Sequence, residues 1–130
     1  MKNAIIINSL ILVLLLSLST VFAGELNESE YSQLENNLLV GLNTDNQGLK
    51  LSSAYHLGEI KSDKAIIPLM SVLHNSKSNA ARQSAALALY KIGSSRGMYA
   101  IKKAITFDKN EQTRRLCKIL YNEQLSKVRS

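Results

Sequence analysis

A chain of 130 residues with 45% hydrophobic side chains, one Pro, six Gly, one Cys and no Trp has the composition of one small globular unit. That composition excludes a disordered, collagen-like or disulfide-stapled protein. The formal net charge of +6 is unevenly spread: residues 24–75 carry three basic against seven acidic side chains, a balance of −4, and residues 76–130 carry twelve against three, +9.

The chain opens with Met1, Lys2 and Asn3, followed by an apolar stretch from Ala4 to Leu18 and then Ser19-Thr20-Val21-Phe22-Ala23. A basic start, a Leu/Ile-rich run and small residues at Val21 and Ala23 predict a secretory signal peptide over residues 1–23, cleaved after Ala23, which makes the protein secreted or periplasmic. The alternative is an uncleaved anchor, since Ile5 to Ala23 nearly reaches the roughly 20 apolar residues a bilayer requires. Polar residues within the run, and Glu25, Glu28 and Glu30 just after it, favour removal. In an exported chain the lone Cys117 has no intrachain disulfide partner, and it reads as a small buried residue.

Beyond the leader, Tyr31, Leu34, Leu38 and Leu42 recur at three- and four-residue spacing, predicting a helix over 28–42. The turn-forming segment 43–48 separates it from a second helix over 48–60, with Ala54, Leu57 and Ile60 on one face. Ser62-Asp63 precede a third helix over 65–74, in which Pro68 requires a start close by. Further helices are predicted over 79–92, 96–106 and 110–125, with Ser, Asn, Asp and Gly between them. No strand pattern competes.

These helices repeat. Ala54-Tyr55-His56-Leu57 and Gly58-Glu59-Ile60 return as Ala86-Leu87-Ala88-Leu89 and Tyr90-Lys91-Ile92 at a shift of 32, which also aligns Ile66, Leu69, Val72 and Leu73 with Met98, Ile101, Ala104 and Ile105. Lys50, Arg82 and Arg114 form one column and Ser53, Ala85 and Cys117 another; Leu34, Leu38 and Leu42 match Ala65, Leu69 and Leu73 at a shift of 31, as a leading half-repeat. The expected architecture for residues 24–130 is all-α, a solenoid of about three helical hairpins. Two repeats carry the pattern most fully: Leu57 to Leu69, through Gly58-Glu59-Ile60 and Pro68, and Ala81-Arg82-Gln83-Ser84-Ala85-Ala86-Leu87-Ala88-Leu89-Tyr90-Lys91-Ile92-Gly93. These stretches resemble the short HEAT-like repeats of the phycobilisome-lyase type, with Lys50 in place of an Arg, Lys61 in place of the turn Gly and a degenerate last copy at Arg114 to Lys118. The resemblance implies a HEAT/armadillo-like superhelix whose second helices line a concave, protein-binding face; it does not imply an enzyme, and none is expected. It also implies that Arg82 and Arg114 form a structural ladder with acids near turns, for which Asp63 and Asp108 are candidates.

Catalytic and metal-binding constellations are absent from the sequence: there is no Cys-x-x-Cys, His-Glu-x-x-His or phosphate loop, and His56 and His74 read as surface or capping residues. Neither a cofactor nor a metal is expected. The candidate partner-binding residues are Ile67 and Met70 on the third helix, Tyr99, Lys102 and Lys103 on the fifth, and Arg114 and Arg115 on the sixth, a surface running from apolar to basic. The leading expectation is an exported adaptor for a protein partner carrying acidic groups. The alternative is electrostatic binding to an anionic envelope polymer or lipid surface. Lyase or DNA glycosylase activity, found among similar repeats, needs longer arrays, and export leads away from DNA, so no nucleic acid partner and no membrane contact beyond the leader are expected. Leu116, Ile119 and Leu120 are expected to be covered on one side only, leaving an edge for weak self-association.

Overall fold

The helices begin where short polar side chains intercept the free backbone N–H groups of their first turns. The computed structural model describes residues 26–129, and the expected leader lies outside the described residues. Six α-helices follow in order: α1 Glu28–Leu42, α2 Gln47–Glu59, α3 Ile66–Asn75 after a 3₁₀ turn at Asp63–Ala65, α4 Asn79–Ile92, α5 Ser95–Phe107 and α6 Glu111–Arg129. Asn46, Ser62, Ser78 and Ser94 each accept a bond from the N–H three residues on, at 3.0, 3.2, 3.2 and 3.0 Å. Asn110 does the same for Thr113, at 2.9 Å. The chain divides into two units, Met1–Tyr31 and Ser32–Ser130. In the first, Asn27 and Glu30 cap each other reciprocally at 2.9 and 3.0 Å.

The second unit holds the repeat. Helices α2, α4 and α6 pack side by side as one layer, and α3 and α5 pack together as a second, each wedged against the following first-layer helix. Small residues permit the close approach: a Cβ on Gly58 of α2 would stand 2.8 Å from the Ala88 Cα of α4. The repeated apolar columns form the core, with Ala54 and Ala86, Leu57 and Leu89, and Leu69 and Ile101 all at most 1% exposed. Cys117 is fully buried beside them, in the small-residue column it shares with Ser53 and Ala85. Leu120 is buried and Leu116 partly so, packed on the core, whereas Ile119 is 62% exposed.

Two details depart from the sequence expectations. The third helix is preceded by a 3₁₀ turn, which brings Pro68 within the first turn of α3, where its missing donor leaves no intrahelical bond unmade. The sixth helix runs on to Arg129 rather than 125, because Lys127 bonds the Tyr90 hydroxyl of α4 and pairs with Glu123 one turn back. No described helix is long and apolar enough to cross a membrane.

Candidate functional site

Between the two second-layer helices lies a groove of ≈ 560 Å³. Its floor is apolar, built from the buried Leu73 and Ala104 and the half-buried Met70 and Ala100. Its rim combines aromatic and cationic groups: Tyr99, Lys103 and Phe107 fall at successive four-residue steps along α5, and His74 and Lys109 complete the mouth. The Lys103 ammonium lies 5.6 Å from the Tyr99 ring centroid and 5.5 Å from that of Phe107. Tyr99 is 58% and Phe107 75% exposed, so two large rings stand in solvent where a soluble surface would ordinarily carry polar groups.

One end of the groove is closed by a fixed ion pair. Arg82 of α4, 2% exposed, donates from Nε to Asp108 Oδ2 at 2.8 Å and from Nη2 to Oδ1 at 3.0 Å. Its remaining donors hold the preceding turn, with Nη1 on the Ser76 carbonyl at 2.9 Å and Nη2 on Asn79 Oδ1 at 2.7 Å. Burial pushes the Asp108 carboxyl up, but the Arg82 bonds, the Asn110 N–H and the positive charges of Arg82 and Arg114 outweigh it and hold the group below the ordinary carboxylate range. Asp108 is thereby neutralised within the fold, and Lys103 and Lys109 set the sign of the mouth. A second fixed carboxylate lies away from the groove. Glu35, 5% exposed, is held below the ordinary range by its bonds to Lys64, at 2.8 Å, and to the Ser62 hydroxyl, at 2.5 Å, against the opposing effect of burial.

The candidate residues divide on this geometry. Met70, Tyr99 and Lys103 line the groove. Ile67 is 57% exposed on α3 but outside the lining. Lys102 turns the other way and sits 5.7 Å from the Tyr121 ring of α6. Arg114 points back to the Asp108 carbonyl at 2.8 Å, extending the Arg82 ladder, and Arg115 pairs with Glu111 on the outer face of α6. Sequence reasoning missed Phe107 and Lys109; the i, i+4, i+8 relation of Tyr99, Lys103 and Phe107 was the available signal for the former. His74, read as a surface or capping residue, stands at the rim, and His56 lies elsewhere, edge-on to Tyr55.

Among the described residues no cluster of His, Cys, Asp and Glu is arranged to hold a metal. The groove offers apolar contact, ring faces and positive charge, the features of a protein-binding surface. A family model described as HEAT repeats matches residues 35–120 of the chain. No curated protein matches it.

Proposed function

The chain belongs to the HEAT repeat family, and from that premise we propose that it is an exported interaction module that holds an extended, acidic and apolar protein segment in the groove between α3 and α5. Repeats of this family serve in general as protein-interaction scaffolds. The observation that carries the reading is the Tyr99, Lys103 and Phe107 ladder standing over the Met70 and Leu73 floor. An apolar side chain of the partner would bury against the floor and the rings, and an adjacent carboxylate would meet Lys103. The basic start, apolar run and small residues of positions 1–23 support export.

The charge of +9 on residues 76–130 favours a second reading, adhesion to an anionic envelope polymer or lipid surface. Adjacent lysines separate the two. Lys103 lines the groove and Lys102 faces α6, so Lys103→Glu and Lys102→Glu remove the same charge from different places. The experiment captures partners from an envelope extract with the wild type and each variant. A discrete protein kept by the wild type and Lys102→Glu, but lost from Lys103→Glu, is the expected result. Equal loss from both variants, with release at moderate salt, would establish surface adhesion instead. Retention by all three would overturn the groove assignment.

A further inference from the structure

The two ends of the described solenoid are complementary halves of one repeat. By register α1 is a second-type helix: Leu34 aligns with Ala65 and Gly97, and Leu38 with Leu69 and Ile101. Ala65, Leu69 and Ile101 are 0% exposed, yet Leu34 is 38% exposed and Leu38 half-buried, because among the described residues no first-type helix precedes α1. At the other end α6 is a first-type helix. Its Tyr121 occupies the column of Leu57 and Leu89, both 0% exposed, but is itself only half-buried. Where α4 turns at Gly93-Ser94, α6 continues straight through Leu125-Ser126 to Arg129, so the chain does not fold back at that point to cover its own last helix.

We infer that copies of this protein dock head to tail, α1 of one copy lying against α6 of the next in the place that α3 and α5 hold in the complete hairpins. Three observations specify a second copy as the occupant. The first is register: Gly97 packs against Leu89 in the complete hairpin, so the equivalent positions set Leu34 of one copy opposite Tyr121 of the other, and these bulkier side chains hold α1 farther from α6 than α5 stands from α4. The second is length. At 15 and 19 residues, α1 and α6 exceed the 10 to 14 residues of the inner helices. In an antiparallel hairpin the surplus turns, at the start of α1 and the end of α6, fall side by side. The third is charge: the first turn of α1 carries Glu28, with Glu30 engaged by Asn27, and the last turn of α6 carries Arg129, with Lys127 engaged by Glu123 and Tyr90, so Glu28 and Arg129 are the pair that docking brings together. Leu125 and Val128, 37% and 76% exposed, add apolar surface to the same end of α6. Such a contact is heterologous, so each docked copy offers a fresh end and the assembly does not close at two.

The test is the mass of the protein, purified from an exporting host, by sedimentation equilibrium across a concentration series. The wild type is expected to rise past the dimer mass, and to shift back toward monomer as salt increases. Two variants block one end each on exposed residues: Glu28→Lys with Leu34→Glu, and Leu125→Glu with Val128→Glu. With helical content matched by circular dichroism, each alone stays monomeric where the wild type associates. Mixed in equal amounts they form a 1:1 dimer and stop, since each retains one working end. A wild type that is monomeric up to its solubility limit overturns the inference. So does a mixture that fails to recover, or a blocked variant that still associates alone, as a two-fold symmetric dimer would. Lys103→Glu leaves the association unchanged, which keeps this result distinct from the fate of the groove reading.

Discussion

Arg82 and Asp108, 26 residues apart, meet through two hydrogen bonds of 2.8 and 3.0 Å with both side chains at most 4% exposed, tying the turn before α4 to the turn after α5. Because the Asp108 carboxyl sits below its ordinary range in the fold, folding releases protons as the pH falls toward that range. Its stabilising effect is complete above the unfolded value of about 3.9 and is lost as the pH drops through the lower folded value. Glu35, shifted the same way, adds to the effect. Urea unfolding should therefore give nearly constant stability from about pH 7 to pH 5 and a decline below about pH 4. Asp108→Asn leaves Arg82 buried without a counter-charge and should cost about 3 kcal/mol at neutral pH. It should also flatten the acid decline, and an unchanged slope would place the titration elsewhere.

The hairpin turns make a second prediction. Gly93 ends α4 at φ 73°, and Lys61, its counterpart one repeat earlier, is forced to φ 50° by the same turn. There the Lys61 N–H bonds the Gly58 carbonyl at 3.1 Å and the Ser62 N–H bonds that of Leu57 at 3.0 Å, a paired C-terminal cap that requires the left-handed conformation. That conformation costs a side-chain-bearing residue about 1–2 kcal/mol. Glycine relieves it but gives back roughly 0.5–1 kcal/mol in unfolded-chain entropy. Lys61→Gly should thus raise the melting temperature by a few degrees, since about 1 kcal/mol corresponds to roughly 4–8 °C at this size. Gly93→Ala should lower it.

Most of the fold was legible because the repeat writes its core twice: the columns of Ala54, Leu57 and Leu69 recur as Ala86, Leu89 and Ile101, and all six are buried. The caps were legible for a local reason, since Ser and Asn bond an N–H only three residues away. The groove was legible in part. Met70, Tyr99 and Lys103 are brought together, but Lys102 and Lys103, neighbours in sequence, part because a helix turns about 100° per residue and α6 lies on one side. Arg114 had two destinations open, a surface or the ladder, and only the position of the Asp108 carbonyl decides it. The extra turn of α6 depends on Lys127 reaching Tyr90, 37 residues away, a contact no local pattern encodes.

Gly58 yields a prediction in which two effects oppose. Replacing a helical glycine by alanine gains about 1 kcal/mol of propensity. At Gly58 the added Cβ would stand 2.8 Å from the Ala88 Cα and 3.1 Å from its Cβ, so one helix must move, and overpacking of this kind costs about 1–3 kcal/mol. Gly58→Ala is expected to destabilise on balance. Gly48, exposed in the first turn of α2, meets only Asn46 Oδ1 at 3.5 Å, and Gly48→Ala should stabilise. Chemical denaturation of the two variants checks both signs, and a stabilised Gly58→Ala would show that α2 and α4 can separate without loss.

Cys117 should report on the opening of the last hairpin. The thiol is fully buried, and burial, helped by the negative charge of Asp108, pushes its pKa up to about 11. Since only the thiolate attacks, reaction with a disulfide reagent at neutral pH is suppressed both by access and by protonation. Labelling of the native protein should be slow, and its rate should rise with urea in parallel with unfolding, because α6 must leave α4 and α5 before the sulfur is reached. Glu28→Lys with Leu34→Glu alters only the far end of each copy, so head-to-tail docking adds a concentration term. The wild type should label more slowly as it associates, the variant at one rate throughout. Equal rates for both at every concentration would mean that α6 opens no less readily when another copy is present.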